Sequence, residues 1–220
     1  MATEPGAAAQ TPTRPSVFVA CEGGAAVAGA DAAICTLASA TADDLRDGGI
    51  IWLWAPGDTL PAAARVCVAA TGLVAAAELA RIAPAVFVVP RVEVRRAIRN
   101  YGFSRDNSGS GFNTFQLDPA TVAAFTVLDA GTDTPLADWL RRAGELGFSE
   151  VWLQCPDSAG VRTDLLVQAH RAAPELGFWV TGDSRWLRRV ETAQMPPGLA
   201  ALVVAPAGLA DFPPEVVAPV

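Results

Sequence analysis

Three short apolar runs, separated by two stretches of helical periodicity, dominate the second half of the chain and most constrain its fold. The runs lie at residues 150–155, 178–181 and 199–205, and the stretches between them at 163–176 and 185–194. Continuous apolar runs of about four to eight residues are typical of strands buried on both faces, as in a parallel sheet. Their alternation with helices predicts an α/β fold whose chemistry lies in the turns after the strands.

The same alternation extends through the first half. Further strands are predicted at 16–21, 32–37, 49–55, 65–69, 85–90 and 123–129, and further helices at 41–47, 73–82, 92–100 and 134–146. The chain has 220 residues, of which 51% are hydrophobic, so it can bury a large core. We therefore predict a (βα)8 TIM-type barrel, incomplete or degenerate in its first half. An open doubly wound sheet is the alternative.

The ionisable residues exclude several kinds of chemistry. All 16 basic residues are arginines, so Schiff-base and pyridoxal-phosphate chemistry, which need a lysine amine, are excluded. The single histidine, His170, excludes a multi-histidine metal site within one chain, and we expect neither a metal nor an organic cofactor. The formal net charge of −7 argues against nucleic acid and anionic membranes as partners, because both need dense positive charge.

The ends of the chain and its cysteines indicate the compartment. Residues 1–15 lack the basic start and apolar stretch of a signal peptide, and we expect them to form a flexible tail. The four cysteines form no Cys-x-x-Cys pair and lie in or beside apolar runs, as free thiols do. No run reaches about 18 unbroken apolar residues, so no transmembrane helix is expected. We expect a cytoplasmic protein with one barrel domain over 16–212 and a terminal loop over 213–220.

Three segments of the second half invite comparison with a known family. They are PLADWLRRAGELGFSEVWLQCPDSAG, LGFWVTGDSRWLRRV and LAALVVAPAGL. Together they resemble the phosphate-binding (βα)8 barrels of histidine biosynthesis, the phosphoribosyl-formimino isomerase and the imidazole glycerol phosphate synthase barrel. The resemblance implies a catalytic aspartate after the first of these strands. It also implies that backbone N–H groups in the turns after the next two strands bind a phosphate.

The resemblance carries over to particular residues, with departures. Where the family has an aspartate directly before a glycine, this chain has Ala159 before Gly160, and the acid stands two positions earlier at Asp157. An aspartate replaces the second of two adjacent family glycines, and its carboxylate would repel a phosphate dianion. The residues that the resemblance assigns to anion binding are Gly182, Asp183, Ser184, Ala207 and Gly208.

Carboxylates follow several of the predicted strands, independently of any family. They are Glu22, Asp58, Asp129, Asp157 and Asp183. The carboxyl ends of the strands converge on one face of a parallel barrel, where two acids in different surroundings can act as general acid and general base. We predict Asp157 and Asp129 as this pair. The alternatives are that these aspartates cap turns and helices, or that clustered acids hold Mg²⁺.

Basic and polar residues near the middle of the chain add a second candidate feature. Arg91, Arg95 and Arg99 recur every four residues on one face of the predicted helix at 92–100. Guanidinium groups suit a phosphate or a carboxylate, but the pattern favours a solvated helix face partly paired with Glu93. The Gly/Ser/Asn-rich stretch 101–117 is long for a loop, and such loops are often lids or disordered. If it is a lid, Arg105 and Asn107 are the residues expected to close over the ligand.

These observations lead to two hypotheses. The first is an enzyme that acts on a small anionic, phosphorylated metabolite by carboxylate acid–base catalysis, as an isomerase or a lyase. The second is a barrel that has lost catalysis and binds another protein or a second copy of itself, with its six tryptophans as interface anchors. An open mouth with converging polar groups favours the enzyme. A mouth filled by side chains favours the binding partner.

Overall fold

The computed structural model describes eight segments of the chain, which together contain ten strands and three helices. The segments are 16–21, 30–36, 49–61, 64–69, 72–96, 125–155, 163–182 and 196–204. The predicted tail, the terminal loop, the helices at 41–47 and 185–194 and the loop at 101–117 lie outside them. None of the helices in these segments has the length and apolar character needed to cross a bilayer.

Eight parallel strands close into a barrel. They are β1 (Ser16–Cys21), β2 (Ala32–Thr36), β3 (Ile50–Trp54), β4 (Val66–Ala69), β5 (Phe87–Arg96), β8 (Glu150–Gln154), β9 (Gly177–Thr181) and β10 (Leu199–Val204). Each pairs in parallel with the next in this order, and β10 pairs with β1. This last pairing closes the sheet, so the predicted TIM-type barrel is confirmed and the open doubly wound alternative is wrong.

Helices lie between strands, as the alternating pattern predicts. Helix α1 (Gly72–Ile82) connects β4 to β5, α2 (Leu136–Glu145) precedes β8, and α3 (Thr163–Ala172) connects β8 to β9. The helix predicted to end at residue 176 ends earlier, because Pro174 cannot donate a helical hydrogen bond. The start of α2 also differs from the prediction. Pro135 is its N-cap without a side-chain hydrogen bond, and Thr134 belongs to a strand.

A β-hairpin accompanies the barrel. Strands β6 (Phe125–Asp129) and β7 (Thr132–Pro135) are antiparallel to each other, and β6 is antiparallel to the last residues of β5. The predicted strand at 123–129 is therefore present but is not one of the parallel barrel strands. An apolar run reveals a strand, whereas the direction of its pairing depends on the path of the preceding chain.

Strand β5 corrects one prediction outright. The helix expected at 92–100 is wrong over residues 92–96, because β5 continues to Arg96. The sequence from Arg91 to Arg95 alternates strictly between charged residues and valine, which is the period of a strand. β4 ends at Ala69, opposite Pro90, and the continuation of β5 supports the hairpin.

Two hydrophobic clusters distinguish the inside of the barrel from its outside. The inner cluster is drawn from strands alone: Ile34, Ile51, Val68, Val89, Trp152, Trp179, Ala201 and Val203. The outer cluster combines the alternate strand residues with the helices, for example Leu153 and Val180 with Leu79 and Leu140. Successive side chains in a strand point to opposite faces. Strand residues an even number of positions from an inner-cluster residue therefore point into the barrel, except at the start of β10, where the register shifts between Leu199 and Ala201.

Candidate functional site at the barrel mouth

Polar side chains gather at the carboxyl end of the barrel interior, which we call the mouth. By alternation with the inner cluster, they are Arg91 and Glu93 from β5, Gln154 from β8, Thr181 from β9 and Thr36 from β2. Each is at least partly accessible to solvent. In the strand register Glu93 lies opposite Gln154, and Thr181 opposite Val203. The interior is thus apolar in its middle and polar at the end where (βα)8 barrels carry their sites.

Arg91 packs on an aromatic ring inside the barrel. Its guanidinium carbon lies 5.5 Å from the centre of the Trp152 ring, within the range of a cation–π contact. Burial lowers the pKa of the Arg91 guanidinium because desolvation disfavours the charged form. Because an arginine side chain is not deprotonated in proteins, Arg91 still carries its positive charge at neutral pH. Arg91 thus brings a cation to the floor of the mouth.

Glu93 and Arg95 form an ion pair at the rim. Arg95 Nε donates a hydrogen bond to Glu93 Oε1 at 2.7 Å, and the two side chains are 45% and 37% exposed. An ion pair this accessible adds little to folding stability. Its relevance is positional, since it holds the Glu93 carboxylate beside the Arg95 guanidinium on the inward side of β5.

Asp129, predicted as one of the catalytic pair, holds the start of a helix. Its Oδ2 accepts the backbone N–H of Leu73 at 3.1 Å and the indole N–H of Trp139 at 2.6 Å. Gly72, with φ of +53°, has no room for a Cβ, which would collide with this carboxylate. Asp129 therefore caps helix α1, the first alternative raised for these aspartates. Its partnership with Asp157 stays a prediction, because Asp157 lies outside the described residues.

The other predicted binding residues are mostly outside the described segments. Gly182 is described, and its backbone N–H already donates to Val203 O at 3.0 Å, which continues the β9–β10 ladder. Outside the described segments lie Asp183, Ser184, Ala207, Gly208, Arg105 and Asn107. Asp58 acts as a turn residue, since its side chain accepts the N–H of Ala55 at 2.9 Å.

The only histidine of the sequence lies away from the mouth. His170 is on the last turn of α3, and its Nδ1 is close to Gly198, which precedes the amino end of β10. Imidazole is the commonest acid–base group in enzymes, but His170 lies at the amino end of the barrel, opposite the mouth.

The sequence contains a pattern that indicates the mouth, but the pattern is missed when residues 92–100 are assigned to a helix. In Arg-Val-Glu-Val-Arg, the charged residues share one face of a strand and the valines the other. The valines, Val92 and Val94, belong to the outer cluster, so the charged face points inward. Gln154 and Thr181 could have been found as the last inward positions of their strands.

Within the described segments, no three His, Cys, Asp or Glu side chains come together as a metal site requires. No protein-family model matches the chain, and no curated protein is significantly similar to it in sequence.

Proposed function

We propose that the protein is an enzyme that binds a small anionic, phosphorylated metabolite in the barrel mouth. It acts on this metabolite by carboxylate acid–base catalysis, as an isomerase or a lyase. The observation that supports the proposal is the placement of Arg91, Glu93 and Arg95 on the inward side of β5 at its carboxyl end. Arg91 and Arg95 supply two guanidinium groups to the mouth, although the whole chain has a net charge of −7. A guanidinium group binds the oxygens of a small anion through charge-assisted hydrogen bonds.

Four of the mouth residues, together with Arg95 at the rim, have roles in this proposal. Arg91 binds the anionic group, and Glu93 transfers the proton, with Arg95 stabilising its charged form. Gln154 and Thr181 hydrogen-bond the neutral polar groups of the metabolite. Asp157, three positions beyond Gln154 in the sequence, is the second carboxylate. The resemblance to the histidine-biosynthesis barrels supports isomerase chemistry through that aspartate, while Asp129 has its capping role.

A second candidate function is a barrel that has lost catalysis and binds a partner protein or another copy of itself. Three large apolar side chains on or beside the helices outside the barrel favour it: Val74, Ile82 and Leu146, which are 70%, 50% and 47% exposed. Exposed apolar side chains are common on protein surfaces when they are isolated, and they mark an interface when they form a contiguous patch. This candidate places the functional surface outside the mouth.

Solvent deuterium exchange separates the two candidates without knowledge of the substrate. A panel of small phosphorylated and carboxylated metabolites is incubated with the protein in D₂O, and deuterium incorporation at carbon is followed by NMR. We expect at least one compound to exchange a C–H proton. Glu93→Gln should slow this exchange by about 10²–10⁴-fold, the usual contribution of a general acid or base, while the compound still binds.

The matched control is Glu78→Gln, which alters an exposed glutamate on α1 and should leave the exchange rate unchanged. An exchange rate that Glu93→Gln does not change would overturn the catalytic role of Glu93. Binding of panel members with no exchange in any of them would overturn the enzyme and support the binding partner.

A further inference from the structure

Building on the function proposed above, we infer how the ligand is oriented in the mouth. An oxygen of its anionic group accepts hydrogen bonds from both the Arg91 guanidinium and the Trp152 indole N–H. The anionic end is then the deepest part of the ligand, on the wall formed by β5 and β8. Carboxylate and phosphate share this oxyanion chemistry, and the experiment below distinguishes them.

The first argument concerns the indole of Trp152. This residue is 3% exposed, and its Nε1 has no hydrogen-bond partner. Native proteins leave few buried polar groups unpaired, so such a group calls for an explanation. Other tryptophans of this chain show the usual arrangement, since the indole N–H donates to a protein oxygen in Trp54, Trp139 and Trp179. A ligand oxygen is the acceptor that Trp152 lacks.

The second argument concerns the geometry of the two donors. Arg91 and Trp152 are directly opposite each other in the register of β5 and β8. The guanidinium lies 5.5 Å from the centre of the indole ring. A planar guanidinium presents several N–H donors in a fixed fork, which matches the oxygens of a carboxylate or a phosphate. The pair therefore forms one wall with a cation and an unused neutral donor.

The third argument concerns the alternative anion site. The resemblance assigns the phosphate to backbone N–H groups after β9 and β10, but the N–H of Gly182 is already used in the β9–β10 ladder. Asp183 follows it with a negative charge. In contrast, Glu93 lies two residues beyond Arg91 on the same strand, about 7 Å nearer the rim. A metabolite of a few carbon atoms spans that distance, so its reacting carbon comes beside Glu93.

Indole NMR tests the proposal directly. Labelling tryptophan with ¹⁵N gives one indole N–H resonance for each of the six tryptophans, and the Trp152 resonance is identified by its loss in Trp152→Phe or Trp152→Tyr. Sodium phosphate and sodium acetate are titrated separately, with sodium chloride at matched ionic strength as reference. We expect the Trp152 resonance to move downfield and saturate. Arg91→Gln should weaken this binding by about tenfold or more, as loss of a charged hydrogen-bond donor does.

Arg96→Gln is the matched control, because Arg96 is exposed on β5 and has the opposite alternation from Arg91. It should leave the titration unchanged. Arg91→Lys, which keeps the charge and removes the fork, serves as a second variant if Arg91→Gln does not fold, and should also weaken binding. Saturation by phosphate alone indicates a phosphate monoester end, and saturation by acetate alone a carboxylate end.

A Trp152 resonance that neither anion moves, or that moves equally in Arg91→Gln, would overturn the proposed orientation. The proposed function fails in a different way. If only the position of the anion were wrong, deuterium exchange at carbon would still occur and would still depend on Glu93. If the barrel were not an enzyme, no deuterium exchange would occur, whether or not the Trp152 resonance shifted.

Discussion

Arg91 shows how the meaning of one residue depends on the element that carries it. On a helix, its spacing from Arg95 indicates a solvated cationic face. On β5, the same spacing of four places both side chains on the inward side of a barrel wall. The guanidinium of Arg91 then rests on Trp152 rather than in bulk water. The wrong helix assignment at 92–100 therefore makes Arg91 look like a surface residue rather than a binding residue.

Cys67 allows a prediction about pH. It is fully buried in the outer cluster, and burial raises the pKa of its thiol from 9.0 to about 12. Between these values the unfolded chain releases the thiol proton and the folded chain keeps it, so stability falls as the pH rises. We expect a loss on the order of 2 kcal/mol by about pH 11, measured by urea unfolding.

The absence of lysine makes this effect measurable, because no amine side chain titrates in the same range. Cys67→Ala should flatten the decline in stability, because it removes the thiol whose pKa burial raises. A Cys67→Ala protein with the same alkaline decline as the wild type would contradict this account.

The hairpin is the element that sequence patterns describe least well. Its strand β6 and the start of α1 are 56 residues apart at the Asp129–Leu73 hydrogen bond, so no local pattern reveals the contact. The sequence shows an aspartate at the end of an apolar run, which fits a catalytic group and a cap equally. The strands of the barrel were predictable because each one is a short apolar run of contiguous residues. The partner of Asp129 depends on how distant elements pack.

Removal of the Asp129 carboxylate should therefore affect stability. Asp129→Ala leaves the Leu73 N–H and the Trp139 indole without an acceptor, and we expect a loss of about 1–3 kcal/mol in urea unfolding. Asp133→Ala, at an exposed aspartate of β7, should change stability by less than about 0.5 kcal/mol. Unchanged stability together with lost deuterium exchange would instead assign Asp129 to catalysis.

The turn of the hairpin offers a stabilising change. Ala130 and Gly131 join β6 to β7 with φ of 50° and 82°, the two positive values of a type I′ turn. Alanine is strained there, whereas asparagine tolerates this region and favours the turn before glycine. Ala130→Asn should raise the free energy of unfolding by about 0.5–1 kcal/mol.

The opposite change provides the control for that prediction. Gly131→Ala places a second Cβ at positive φ and should lower the free energy of unfolding by about 1–2 kcal/mol. Equal stabilities for the two variants would mean that the turn has another conformation in solution.

At the scale of the whole molecule, the two ends of the barrel differ. Glu150, the first residue of β8, points inward at the amino end and accepts the indole N–H of Trp179. Trp179 also packs edge-on against Phe18, with ring centres 4.6 Å apart. These side chains fill the amino end, whereas Arg91 and Glu93 occupy the accessible end. Side chains at the amino end therefore contribute to stability, whereas side chains at the carboxyl end are available for ligand binding.

Trp179→Phe tests this separation. It keeps an aromatic ring but leaves the Glu150 carboxylate without its donor, so we expect a loss of about 2 kcal/mol in urea unfolding. Glu150→Gln retains an acceptor oxygen and should cost less. Both variants should bind anions at the mouth with wild-type affinity in the indole NMR titration. A weakened affinity would contradict the independence of the two ends.

Strand β5 has three neighbours along its length: β4 over its first residues, β8 in the middle and β6 at its end. The chain leaves the barrel wall after β5 and rejoins it only at β8. An evolutionary lineage is therefore free to lengthen, shorten or exchange the excursion between them while the wall stays continuous. Because this excursion lies directly beside the mouth, a change in it would alter ligand specificity and leave the strands of the barrel unchanged.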